Sequence, residues 1–157
     1  MVIDFISQYH TLGKFEIDEV IPFINSPGRK CYYIPDSITE EDGTEYIIGH
    51  KQFVVKINSF RYKIFEKNLD CYNCGIVGSF FYLQQHKKMN RHTADNVAHF
   101  NLYAEDKLNI NGGNIILMTQ DHLIPKSKGG QDTLQNLKTM CFLCNHDKAD
   151  NINYGQK

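Results

Sequence analysis

Asp121 and His122 stand side by side, Asn136 follows, and Cys141-Phe142-Leu143-Cys144-Asn145 closes a window of 25 residues. Packing does not require these residue types together. A carboxylate, an imidazole, an amide and a thiolate pair each suit one part of metal-assisted phosphodiester hydrolysis. That reaction needs a water deprotonated, the charge on phosphorus offset and the leaving oxygen stabilised. A divalent cation held by oxygen ligands can supply the last two, and a histidine can take the proton.

The elements that position these groups follow from the flanking sequence. NIILMTQDH reads as a strand, in which side chains alternate between faces. Asp121 and His122 therefore share a direction only at the strand end, where the chain bends toward Pro125. KSKGG reads as a loop. Asp132 is expected to cap a short helical turn, DTLQN. LKTM reads as a second strand, and CFLCN opens a final helix, roughly NHDKADNIN. Asn136 returns on the turn after the loop, and its amide oxygen is expected to accept from the His122 ring, fixing the tautomer. Asn145 at the helix start is placed to offer a second metal ligand. The positive end of that helix favours phosphate.

Of five cysteines, four form two Cys-x-x-Cys pairs, Cys71 with Cys74 and Cys141 with Cys144; Cys31 stands alone. An odd count and no secretory signal in MVIDFISQYH argue against a disulfide framework. The pairs read instead as a four-thiolate zinc site. The pairs are 66 residues apart, so the site encloses an insert.

Hydrophobic residues make up 41% and charged residues 22% of 157, with a net charge of −1. These are ordinary values for a globular protein. They advertise no global field for nucleic acid, so DNA binding would rest on a local patch or a bound cation. No apolar run is long enough to cross a membrane. Residues 1–67 are rich in Ile, Val, Tyr and Phe and contain none of the chemistry-bearing motifs. They are expected to form a small β-rich domain, with YIIG and FVVKI as strands paired across GHKQ. Residues 68–157 form the second expected domain. It begins at a knuckle, CYNCG, and continues through HKKMNRH, the densest basic cluster. HFNLYAED pairs with NIILMTQDH through the turn at NINGGN.

The run Asp121-His122-x-x-Pro125, Gly129-Gly130, Asn136-Leu137, Cys141-x-x-Cys144-Asn145-x-x-Lys148 resembles the HNH endonuclease family, over about residues 71–150. The resemblance implies an α+β fold in which a ββα-metal nuclease module follows the small β-rich domain. It implies Asp121 as a metal ligand, His122 as the general base, Asn136 as its orienting partner and Asn145 as the second metal ligand. Here the last position is Asn rather than the usual His, and His146 one residue later is the alternative. The resemblance also implies that Cys71, Cys74, Cys141 and Cys144 hold a structural Zn²⁺, separate from a catalytic Mg²⁺, Mn²⁺ or Ni²⁺.

The expected activity is metal-dependent hydrolysis of DNA, most readily double-stranded. Lys126, Lys128, Lys148, Lys87, Lys88 and Arg91 are the candidate phosphate contacts. The competing class is a zinc-stabilised module that binds nucleic acid or protein without catalysis. The N-terminal domain is a candidate protein-binding surface. By analogy with other small lone modules, the expected setting is the cytoplasm of a bacterium or phage-infected host, as a phage or mobile-element product.

Overall fold

The protein's structure, a computed structural model, describes residues 9–28, 30–35, 37–39, 44–47, 51–86, 97–107 and 115–148. The chain divides into two compact units, Met1–Asn58 with Phe80–Asn101, and Ser59–Ser79 with Leu102–Lys157. The described residues form a mixed sheet and three α-helices, an α+β fold.

The first unit holds β1 (Tyr9–Glu16), α1 (Ile17–Ile24), β2 (Lys30–Tyr33), β3 (Ser37–Thr39), β4 (Glu45–Ile47), β5 (Phe53–Lys56), β6 (Phe80–His86) and the start of β7 (Val97–Glu105). The strand order is β2-β5-β7-β6-β1-β3-β4. β1 and β6 pair antiparallel from Tyr9 opposite His86 to Glu16 opposite Phe80, with a register shift between Thr11 and Gly13. β6 is buried at five of seven positions, including Phe81, Leu83 and Gln84. Its polar groups must therefore find partners inside. Asn101 Nδ2 donates to Gln84 Oε1 at 2.8 Å, and Gln84 Nε2 donates to Thr11 Oγ1 at 3.1 Å.

Three features differ from the sequence reading. Ile17–Ile24 is helical despite its β-prone residues. Glu16 and Glu19 form a capping box that starts it, and Val20 and Ile24 bury one face. YIIG and FVVKI do not pair with each other: β4 pairs with β3, while β5 pairs with β2 and β7. The two units also do not follow a single cut after residue 67. β1 needs β6 as its neighbour, so residues 80–101 join the N-terminal unit. The cluster HKKMNRH and the turn NINGGN lie outside the described residues.

The second unit begins with α2 (Phe60–Lys67), which the sequence reading missed. Ser59 caps it by accepting from Tyr62 N at 3.4 Å, and Tyr62, Ile64 and Phe65 are buried. A small knuckle follows. Asp70 bridges Val77, and Gly75, at φ 80, donates its N–H to Cys71 O. The end of β7 pairs with β8 (Ile115–His122), Tyr103 facing Leu117. β8 pairs antiparallel with β9 (Leu137–Cys141), from Met118 opposite Cys141 to His122 opposite Leu137. α3 (Phe142–Lys148) follows β9 without a gap. Ile116, Met118 and Leu137 on one face of this hairpin and Met140 on the other form its core, each no more than 3% exposed. At roughly 1.5–3 kcal/mol for each fully buried large side chain, this core fixes the hairpin register. A one-residue slip would turn Met118 and Asp121 to the wrong faces.

Candidate functional site

Asp121 and His122 are the last two residues of β8. As neighbours on a strand they project to opposite faces. Asp121 is buried, while the His122 side chain is 21% exposed. Thr119 lies two residues before Asp121 and shares its face. There α3 packs: Asn145 Nδ2 donates to Thr119 Oγ1 at 3.0 Å, and Thr119 Oγ1 donates to Met140 O at 2.7 Å. Helix α3 thus brings Asn145 to the face of β8 that carries Asp121. His146 is exposed and stacks on Phe142, with ring centroids 5.9 Å apart.

Lys148 corrects one expectation. It is 2% exposed and donates to both Asp121 Oδ2 and His122 O. Burial removes its ammonium from the reach of a phosphate. Instead it ties the last turn of α3 to the end of β8, and there it complements both the Asp121 charge and the C-terminal end of the helix dipole. Breaking such a buried pair costs about 3–5 kcal/mol, because one charge is left uncompensated. The other Asp121 oxygen and Asn145 Oδ1 accept no hydrogen bond among the described residues.

Asn136 corrects another. Its amide does not meet the His122 ring. Oδ1 accepts from Ile124 N at 2.8 Å, and Nδ2 donates to Ile124 O at 3.1 Å and Gln131 O at 3.0 Å. The side chain therefore clamps the two ends of the loop that leaves β8. Within that loop Lys126–Lys128 form a 3-10 turn, and Gly129 takes the left-handed conformation at φ 88. A Cβ on Gly130 would lie 1.6 Å from Ile124 O, so the glycine pair is dictated by the closure of this loop. The segment DTLQN forms a turn rather than a helix, with Asn136 N donating to Thr133 O at 3.0 Å.

That closure returns Asp132 to the end of β8. His122 Nε2 lies 2.6 Å from Asp132 Oδ1, and Lys126 Nζ lies 3.1 Å from Asp132 Oδ2. The His122 hydrogen bond, and then Lys126, hold the Asp132 carboxyl below the usual carboxylate range. An ionised carboxylate only accepts, so Nε2 carries the hydrogen that bridges to Asp132. Asp132 is the site residue that the sequence reading took only as a cap. The signal was there in Gly129-Gly130, since a tight turn must bring the chain back on itself. Lys128 is exposed; Lys87, Lys88 and Arg91 lie outside the described residues.

The four sulfurs of Cys71, Cys74, Cys141 and Cys144 lie within 4.8 Å of one another, a cluster that could hold a metal ion. A tetrahedral zinc site places its sulfurs about 3.8 Å apart, and Cys74 Sγ to Cys141 Sγ is 3.8 Å. Backbone N–H groups point at sulfur: Cys74 N to Cys71 Sγ at 3.5 Å and Cys144 N to Cys141 Sγ at 3.4 Å. A bond shared with Cys141 pulls the Cys71 thiol down to about 4 and pushes Cys141 up, while burial pushes Cys74 up to about 11. The knuckle is tied to β9 by Tyr72 N donating to Thr139 O at 3.0 Å.

Residues 114–154 match the model of the HNH endonuclease family. The matched stretch spans β8, the clamped loop, β9 and α3, so the resemblance drawn from the residues holds over this stretch. The family points to a nuclease and to nucleic acid as what it binds. No curated protein and no solved structure matches the chain. No helix among the described residues is long and apolar enough to cross a membrane.

Proposed function

We propose that β8, β9 and α3 form a ββα-metal nuclease module that hydrolyses phosphodiester bonds in double-stranded DNA. The observation that carries this reading is the set of groups at the end of β8, where the strand gives way to the clamped loop. Asp121 and Asn145 share one face of the strand, with one carboxylate oxygen and one amide oxygen unclaimed, and the partly exposed His122 is next to Asp121 in the chain.

Two neutral-to-anionic oxygens beside each other are the donor set of a hard divalent cation. Asp121 and Asn145 would hold it. His146 is the weaker candidate, because it is exposed against Phe142. Bound there, Mg²⁺, Mn²⁺ or Ni²⁺ would offset charge on phosphorus and on the leaving oxygen. Lys148 holds the Asp121 side chain in place. His122 takes a proton from water at Nδ1. Asn136 acts by clamping the loop, not by touching the ring. Lys126 and Lys128 are exposed at the same end and are placed to meet phosphates. The four cysteines hold Zn²⁺ as scaffold.

Substitution at the metal pair tests this reading. Either Asp121→Asn or Asp121→Ala leaves the buried Lys148 without a countercharge, so Asp121→Asn is expected to lower the melting temperature and Asn145→Ala is the variant that isolates metal binding. Asp121→Asn and Asn145→Ala are each expected to weaken Mn²⁺ binding by at least tenfold in calorimetry and to lower plasmid cleavage in parallel, with melting temperature little changed in Asn145→Ala. Cleavage and Mn²⁺ affinity equal to wild type in both variants would contradict it.

A further inference from the structure

We propose that Asp132 is a positioning residue for His122, holding the ring as the Nε2–H tautomer so that Nδ1 faces the reacting water. The proposal rests on the nuclease reading for its kinetic consequence, but its geometry is independent of it.

The carboxylate is fixed at both oxygens, Oδ1 by His122 Nε2 at 2.6 Å and Oδ2 by Lys126 Nζ at 3.1 Å. The loop that carries it is rigid by construction. Asn136 cross-ties Ile124 and Gln131, and Gly130 N donates to Pro125 O at 3.0 Å. Asp132 is 54% exposed, and an exposed ion pair of this kind contributes little to stability. Folding therefore gives little reason for the carboxylate to sit on the ring. Orientation does. A neutral imidazole offers one donor and one acceptor, and the partner of the donor decides which nitrogen is free. Lys126 offsets the Asp132 charge.

The substitutions are Asp132→Ala and Asp132→Glu in the full chain, read by two measurements. The first is the cleavage rate on supercoiled plasmid in Mg²⁺. Asp132→Ala is expected to lower kcat about tenfold to a hundredfold, less than in a buried triad because the pair is half-exposed. KM for plasmid should stay unchanged, and Asp132→Glu should recover most of the rate. The second is the ¹⁵N spectrum of the His122 ring. Wild type should show the Nε2–H tautomer, and Asp132→Ala a mixture of both. A retained Nε2–H tautomer in Asp132→Ala overturns the assignment whatever the activity, and so does an unchanged kcat in an active enzyme. If wild type does not cleave, the nuclease reading fails, and the tautomer alone then decides the role of Asp132.

Discussion

Replacing Cys141 with serine is expected to abolish stoichiometric zinc binding and to remove the cooperative unfolding of the second unit. Cys71 and Cys141 are each 2% exposed and all four sulfurs crowd one point. Without a cation, four sulfurs are packed against each other with little but shared hydrogen bonds between them. A structural zinc contributes on the order of 10–16 kcal/mol at neutral pH. A whole domain is stable by only about 5–15 kcal/mol, so a cation bound by these four sulfurs is expected to decide whether this unit folds. The cluster also reaches the active end. Cys141 sits opposite Met118 in the β8–β9 ladder, and the chain passes from it directly into α3, which carries Asn145 and Lys148. Elemental analysis should give one zinc per wild-type chain and none in Cys141→Ser. Circular dichroism should show a large drop in melting temperature for the variant, and a similar one for wild type stripped by a strong chelator. A chelator-stripped wild type that melts at the same temperature as the zinc-bound chain would contradict the scaffold role.

His122→Ala is expected to lower DNA cleavage by about 10²–10⁴-fold, the usual contribution of a positioned general base. The fold should tolerate the change. The ring is partly exposed, and its partner Asp132 is more so. Lys148 uses the backbone oxygen of residue 122, which the substitution keeps. Melting temperature, zinc content and Mn²⁺ affinity should therefore stay near wild type, which separates loss of the base from loss of the site. A variant that cleaves at the wild-type rate would remove His122 from the chemistry.

The strand, turn and cysteine pieces around the candidate site were legible in the sequence because their signals are local. Asp121-His122 before a proline, a glycine pair and two Cys-x-x-Cys pairs each specify a short piece of backbone. The β8–β9 register and the thiolate cluster follow from them. Tertiary reach hid the rest. Lys148 looked like a surface cation because nothing in Asn145-x-x-Lys148 reveals that the helix end turns onto β8. Asn136 looked like a ring partner because its neighbours in sequence do not show the loop it clamps. In the first unit, β-prone residues and Pro22 masked α1; the one clue was Glu16 with Glu19, a capping box without Ser or Thr. Aromatic residues likewise disguised α2, although Ser59 stood at its start. β6 joined the N-terminal strands because antiparallel pairing over seven residues buries Phe81 and Leu83, a long-range gain that no local pattern announces.

The most direct test of the central claim is the rate at which the purified chain converts supercoiled plasmid to open-circular and linear forms, measured across Mg²⁺, Mn²⁺ and Ni²⁺ and in chelator mild enough to spare the zinc. The account predicts conversion in at least one of these cations and none in chelator. Plasmid left intact in all three, by a chain that is folded and carries its zinc, would contradict it.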